Sequence, residues 1–121
     1  MSETGASKVM GEKEEEDLEE QLKNIDHAFV LFYESWCPFS RRFLPMFNKF
    51  AENQTRECMR VVADYKTSLC DKYSVEVFPT ILFFEKGQVT KRLDGEAGEG
   101  LTREQLEAFA KKCNSAVEGS K

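Results

Sequence analysis

Histidine is almost absent from this chain, one in 121 residues, and its four cysteines at 37, 58, 70 and 113 include no Cys-x-x-Cys pair. A metal site needs several such ligands at close spacing, so none is expected. Long apolar runs are missing as well. Nothing approaches the roughly 20 residues of a membrane span, and 32% of the side chains are charged, so no membrane association is expected. No long basic run occurs, which leaves nothing to bind nucleic acid. Met1–Met10 is polar and small, without a basic stretch leading into an apolar one, and does not read as a secretory leader. A cytoplasmic location is the resulting expectation. The even cysteine count also fits two disulfides in an exported protein, but the irregular spacing and missing leader weigh against that.

What the chain does hold is apolar bulk. Hydrophobic residues make up 40%, with ten Phe, enough for one packed domain without disulfide staples and with no room for a second. The net charge of −5 is local: residues 1–20 carry eight acids and two bases, against 14 acids and 15 bases in 21–121. Expected boundaries are a flexible 1–11, a domain over 12–117 and a flexible 118–121.

The patterns alternate between strand and helix. Leu18, Leu22 and Ile25 at i, i+4, i+7 predict an amphipathic helix over Glu12–Asn24, its acids suited to the positive helix end. Ala28–Tyr33 is a continuous apolar run of strand length, as in a strand buried on both faces. Phe39, Phe43, Met46, Phe47, Phe50 and Ala51 then recur at helical spacing, with Pro45 expected to kink that helix. A strand over Met59–Asp64 and a short helix over Thr67–Tyr73 follow, so the first two strands should be parallel. Thr80–Glu85 and Gln88–Leu93, joined by Glu-Lys-Gly-Gln, read as an antiparallel hairpin. Thr102 with Gln105 three residues on, and Leu101 poised against Leu106, mark the start of a last helix whose buried face is Leu106, Phe109, Ala110, Cys113 and Val117.

Cys37 stands where the first buried strand meets the first turn of a helix. Unpaired backbone N–H groups and the helix dipole favour an anion there, which lowers a thiol pKa, and the thiolate is the reactive form. Pro38 suits a first helical turn, where its missing N–H is not needed. Arg41 and Arg42, about one turn on, add positive potential, and with Arg60 are candidates to tune the thiolate or meet an anionic partner.

Phe32-Tyr33-Glu34-Ser35-Trp36-Cys37-Pro38-Phe39-Ser40, followed by Pro45, resembles the active-site strand and helix of thioredoxins, and Val77-Phe78-Pro79-Thr80 matches a second motif of that family. Asp64, Tyr73, Gly87 and Gly95 agree further, and the resemblance covers roughly Ile25 to Cys113. It implies an α/β thioredoxin fold with a mixed sheet of four strands, five if Lys8–Met10 adds an edge, and helices on both faces. It also implies that Pro79 is cis beside Cys37. Two departures stand out: Ser40 occupies the place of the resolving cysteine, and Leu31 that of a buried aspartate. A hydroxyl cannot attack a mixed disulfide, so an intramolecular dithiol cycle is closed to this pair. The Cys-Pro-aromatic order is also similar to glutaredoxins, some of which work with one cysteine and glutathione.

The resulting expectation is a monothiol thiol–disulfide oxidoreductase acting through the nucleophile Cys37 on protein or glutathione mixed disulfides. Trp36, Pro38, Phe39, Ser40, Phe78, Pro79 and Thr80 would form the site. No cofactor is implied beyond glutathione as co-substrate, and electrons would come from glutathione or a thioredoxin-reductase-like donor to a monomer. Cys70, on the short helix near the rim, is weighed as a second thiol, Cys113 as a core residue, and Cys58 is given no role. The alternatives are a binding or chaperone module using the same groove without turnover, or a dithiol thioredoxin with an engineered Cys to Ser exchange at Ser40.

Overall fold

The apolar run after Asp26 forms a strand whose neighbours on both sides are also strands, so its side chains must alternate between two separate cores. In the computed structural model, which describes residues 9–12, 15–64, 68–96 and 98–119, nine elements follow in order. They are β1 (Val9–Glu12), α1 (Glu15–Lys23), β2 (His27–Tyr33), α2 (Pro38–Glu52), β3 (Glu57–Val62), α3 (Ser68–Lys72), β4 (Thr80–Glu85), β5 (Gln88–Asp94) and α4 (Arg103–Gly119). The strands form one sheet in the order β1-β3-β2-β4-β5. β1, β3 and β2 run parallel, while β4 and β5 are antiparallel to their neighbours.

From β2, Phe29, Leu31 and Tyr33 enter a core with Phe43 and Phe47 of α2 and Leu106, Phe109 and Cys113 of α4. Ala28, Val30 and Phe32 enter the other, with Leu18 and Leu22 of α1 and Leu69 and Cys70 of α3. β4 divides its side chains likewise, Ile81 and Phe83 to the first core and Leu82 and Phe84 to the second. Each buried Phe or Leu contributes about 1.5–3 kcal/mol relative to exposure, so the central strands anchor the layers.

The hairpin, the parallel β2–β3 pair and helices on both faces follow the sequence patterns. The start of α4 does too: Thr102 N–H donates to Gln105 Oε1 at 2.8 Å and Gln105 N–H to Thr102 Oγ1 at 3.1 Å, a closed capping box. α2 continues through Pro45.

Three expectations are corrected. The segment 1–11, expected to be flexible, enters the optional fifth strand, which lies at Val9–Glu12 rather than Lys8–Met10 and pairs with β3, Val9 opposite Cys58 and Glu12 opposite Arg60. Backbone pairing along an exposed edge needs no apolar signature, and the strand displaces the start of α1 to Glu15. α4 runs to Gly119, so 118 and 119 are helical rather than part of a flexible tail. The strand expected at Met59–Asp64 lies earlier, at Glu57–Val62. Residues 1–8, 120–121 and Thr67, named above, lie outside the described residues.

Candidate active site

β2, the central strand, carries the chain to one end of the sheet and releases it at Tyr33. The turn that follows is short: Cys37 N–H donates to the Glu34 carbonyl at 3.2 Å, and Arg41 N–H closes the first helical turn on the Cys37 carbonyl at 2.9 Å. Cys37 is thereby the N-cap of α2, with extended backbone (φ −81, ψ 124) and Pro38 directly after it. No side chain caps this helix and its first turn holds no acid. The leading N–H groups of α2 are therefore left without a side-chain acceptor at the Cys37 end of the helix. Cys37 is 8% exposed, beside Trp36 at 64%, which is the exposed large hydrophobic side chain among the described residues.

Ser40 is 1% exposed. Its hydroxyl accepts the Glu34 N–H at 3.2 Å, so Ser40 ties the approach loop to the helix. Beyond it, Ser35 donates both its N–H (2.7 Å) and its hydroxyl to Asp64, at the end of β3. Burial, and then the Asp64 charge, raise the Glu34 carboxyl above the usual carboxylate range.

Phe32 pairs with Thr80, so the backbone before β4 reaches the same end of the sheet as the turn after β2. There the Phe78–Pro79 peptide is cis, Thr80 is buried, and the Thr80 hydroxyl donates to the Val77 carbonyl at 2.7 Å. Arg92 of β5 holds the preceding loop, donating to the carbonyls of Tyr73 (2.7 Å) and Ser74 (3.0 Å).

The segments 95–96 and 98–100, bridged between Glu96 and Gly100, form a strap that joins the two halves. A Cβ on Gly95 would come within 2.5 Å of the Pro79 carbonyl oxygen, and one on Gly100, at φ +76, within 2.8 Å of Phe39 Cβ. Glycine is required at both close approaches. Arg42 completes the clamp, stacking 5.6 Å over the Phe39 ring and donating to the Glu99 carbonyl at 3.1 Å.

The structure thus brings Trp36, Cys37, Pro38, Phe39, Ser40, Pro79 and Thr80 to one end of the two interior strands β2 and β4, with Phe78 packed on the second core. Cys70 is not among them: it is buried beside Leu18 and Leu69 in the core on the sheet face away from α2. Burial pushes the Cys113 thiol up to about 12, in keeping with its place in the first core. Cys58 points into that same core. Arg60 lies on β3 opposite Leu31. Leu31 itself is wholly buried. Sequence reasoning missed Glu34, Arg92, Glu99 and Gly100. Only Arg92 carried a signal, an exposed strand cation with an acid two residues on.

Among the described residues no group of three His, Cys, Asp or Glu side chains converges as metal ligands would, and no helix is long and apolar enough to cross a membrane.

The sequence profile of the family described as Thioredoxin matches residues 9–112. The chain is similar to protein disulfide-isomerase A5 of Mus musculus, 27% identical over 90 residues, covering 69% of this chain and 17% of that protein. It is also similar to endoplasmic reticulum resident protein 44 of Homo sapiens, 33% identical over 86 residues, covering 64% of this chain and 21% of that one. The chain spans about a fifth of the length of these relatives. Among solved structures, thioredoxin of Schistosoma mansoni superposes with a TM-score of 0.76 at 23% identity, over 88% of this chain and 96% of that one. The expected cytoplasmic location is overturned by relatives that are endoplasmic reticulum resident proteins of human, mouse and Caenorhabditis elegans. An opening without a leader pattern does not carry a location. The profile match runs from β1 into α4 and takes in every strand and both sides of the Cys37 corner: the chain belongs to the thioredoxin family.

Proposed function

We propose that this chain is a monothiol member of its family, which captures protein substrates as mixed disulfides through Cys37 in the lumen of the endoplasmic reticulum. The observation that carries the reading is the pairing of an uncapped helix start at Cys37 with a buried, hydrogen-bonded Ser40 in the resolving position. The Cys37 thiolate attacks one sulfur of a client disulfide. A Cys37–client disulfide forms, and the other client sulfur leaves as a thiolate and takes a proton. The Ser40 hydroxyl supplies no second attack, so the adduct persists until an outside thiol such as glutathione displaces it.

Trp36 and Phe78 offer apolar contact to the client, and the backbone at Pro79 pairs with it as an extended segment. The compartment is oxidising enough for such adducts to last.

The test is to incubate the reduced protein with an oxidised client and analyse the mixture on non-reducing gels and by mass spectrometry. A covalent complex mapped to Cys37, absent in Cys37→Ser and dissolved by glutathione, is the expected result. Non-covalent client binding that is equal in Cys37→Ser would overturn this reading in favour of a binding module.

A further inference from the structure

Beside the Cys37 turn lies a cavity of about 370 Å³ lined by Tyr33, Ser35, Arg41, Leu44, Pro45 and Asn48, a volume in the range of small-ligand pockets. It is separate from the Pro79 side of the site. Phe39 and Arg42 are engaged with Gly100 and Glu99, whereas Arg41, Leu44, Pro45 and Asn48 share another stripe of α2 at i, i+3, i+4, i+7.

The two adjacent arginines differ in what they are bound to. Arg42 is held by the strap. Arg41 is exposed and makes no hydrogen bond or ion pair through its side chain among the described residues. Of the other polar lining groups, Ser35 has already given both its donors to Asp64. The lining cation that an anion in this cavity can meet is therefore Arg41, with Leu44 and Pro45 as apolar neighbours in the lining.

We propose that this cavity is a specificity site that takes the carboxylate of a Glu or Asp close to the client's cysteine, so that acidic segments are captured preferentially. The proposal rests on the reading of Cys37 as a capturing thiol. Arg41 stands about 6 Å along the α2 axis from the N-cap Cys37. An extended client advances about 3.3 Å per residue. The acid would therefore stand two residues from the client cysteine, its carboxylate accepting from the guanidinium.

Short peptides test this, each with one cysteine held as a disulfide to thionitrobenzoate and with Glu, Gln or Lys two positions away on either side. The Cys37 thiolate attacks the peptide sulfur, the protein–peptide disulfide forms, and thionitrobenzoate leaves as a coloured thiolate that reports the rate. The expected outcome is a Glu-over-Lys rate ratio of roughly fivefold, the size of one exposed ion pair, that shrinks as salt is raised. Arg41→Gln brings the ratio to about one, while Arg42→Gln keeps it. Using a ratio removes any general effect of the lost cation on thiol reactivity. A wild-type ratio near one, or a ratio that survives Arg41→Gln, overturns the proposal and leaves capture by Cys37 standing. Thionitrobenzoate release that persists undiminished in Cys37→Ser removes the capture reading, and this proposal with it.

Discussion

Replacing Ser40 by cysteine tests both the architecture of the site and its chemistry. The wild-type hydroxyl accepts the Glu34 N–H at 3.2 Å from a position only 1% exposed. Sulfur is a weaker acceptor with a longer reach, so Ser40→Cys leaves that amide poorly satisfied, and Ser40→Ala leaves it with no side-chain acceptor. An unsatisfied buried donor costs about 1–3 kcal/mol. The contact is long and part-buried, which puts the expected loss near 1 kcal/mol for either variant in its reduced state. For a domain of this size that lowers Tm by roughly 4 °C, read from melts in excess dithiothreitol. Ser40→Cys then departs from Ser40→Ala on oxidation. Its new thiol attacks the sulfur of Cys37 in a mixed disulfide, freeing the client and forming an internal disulfide visible as a two-hydrogen mass loss. The variant should reduce insulin with dithiothreitol as donor faster than the wild type, whose adduct clears only when dithiothreitol itself displaces it. With Leu31 in place of a carboxylate, no buried group at that position takes the proton from the second thiol, so activity below that of dithiol thioredoxins is expected. Unchanged melting in both reduced variants would refute the role given to the hydroxyl. Absence of both the internal disulfide and insulin reduction in folded Ser40→Cys would refute the redox reading.

Limiting iodoacetamide should label Cys37 ahead of the other three cysteines, since Cys58, Cys70 and Cys113 lie inside the cores and burial holds Cys113 at about 12; peptide mapping that finds Cys58 or Cys70 first would contradict this. Gly95→Ala puts a Cβ 2.5 Å from the Pro79 carbonyl oxygen, so the strap must move; a loss of roughly 1–3 kcal/mol with slower client capture is expected, and an unchanged melt would show the approach to be looser than described. Burial first, then Asp64, raise the Glu34 carboxyl above its ordinary 4.5. The folded state therefore holds that proton more tightly than the unfolded one, and stability falls as pH rises from about 4.5 through the raised value. Glu34→Gln removes this loss, so the variant should gain on wild type at pH 7 and the gap should close below about 4.5. A gap of equal size at both pH values would show that Glu34 does not titrate in this way.

What could be read from the residues alone was whatever is encoded locally. Ala28–Tyr33 is apolar at every position and can only be a strand covered on both sides. Thr102 and Gln105 carry their own hydrogen bonds, and the stripe from Leu106 to Cys113 marks a buried helix face. A cysteine after such a strand and before Pro38 announces an anion-favouring helix start without any tertiary detail. These features depend on side-chain type at spacings of one to four residues, and short-range geometry is the same in any fold.

The rest was decided by approaches between segments far apart in the chain. Val9–Glu12, offered by the family resemblance only as an optional edge at Lys8–Met10, is a strand because the β3 edge pairs with its backbone. Gly100 matters only because Phe39 sits where its Cβ would be, and Arg41 differs from Arg42 only because Glu99 lies within reach of one of them. Ser40 looked like a missing thiol. In the folded chain it is also the acceptor that holds Glu34, six residues back across the turn. Periodicity reports which face of an element is buried, whereas a contact between two loops is set by the packing of the elements that carry them, and that exists only once the sheet has brought its edges together.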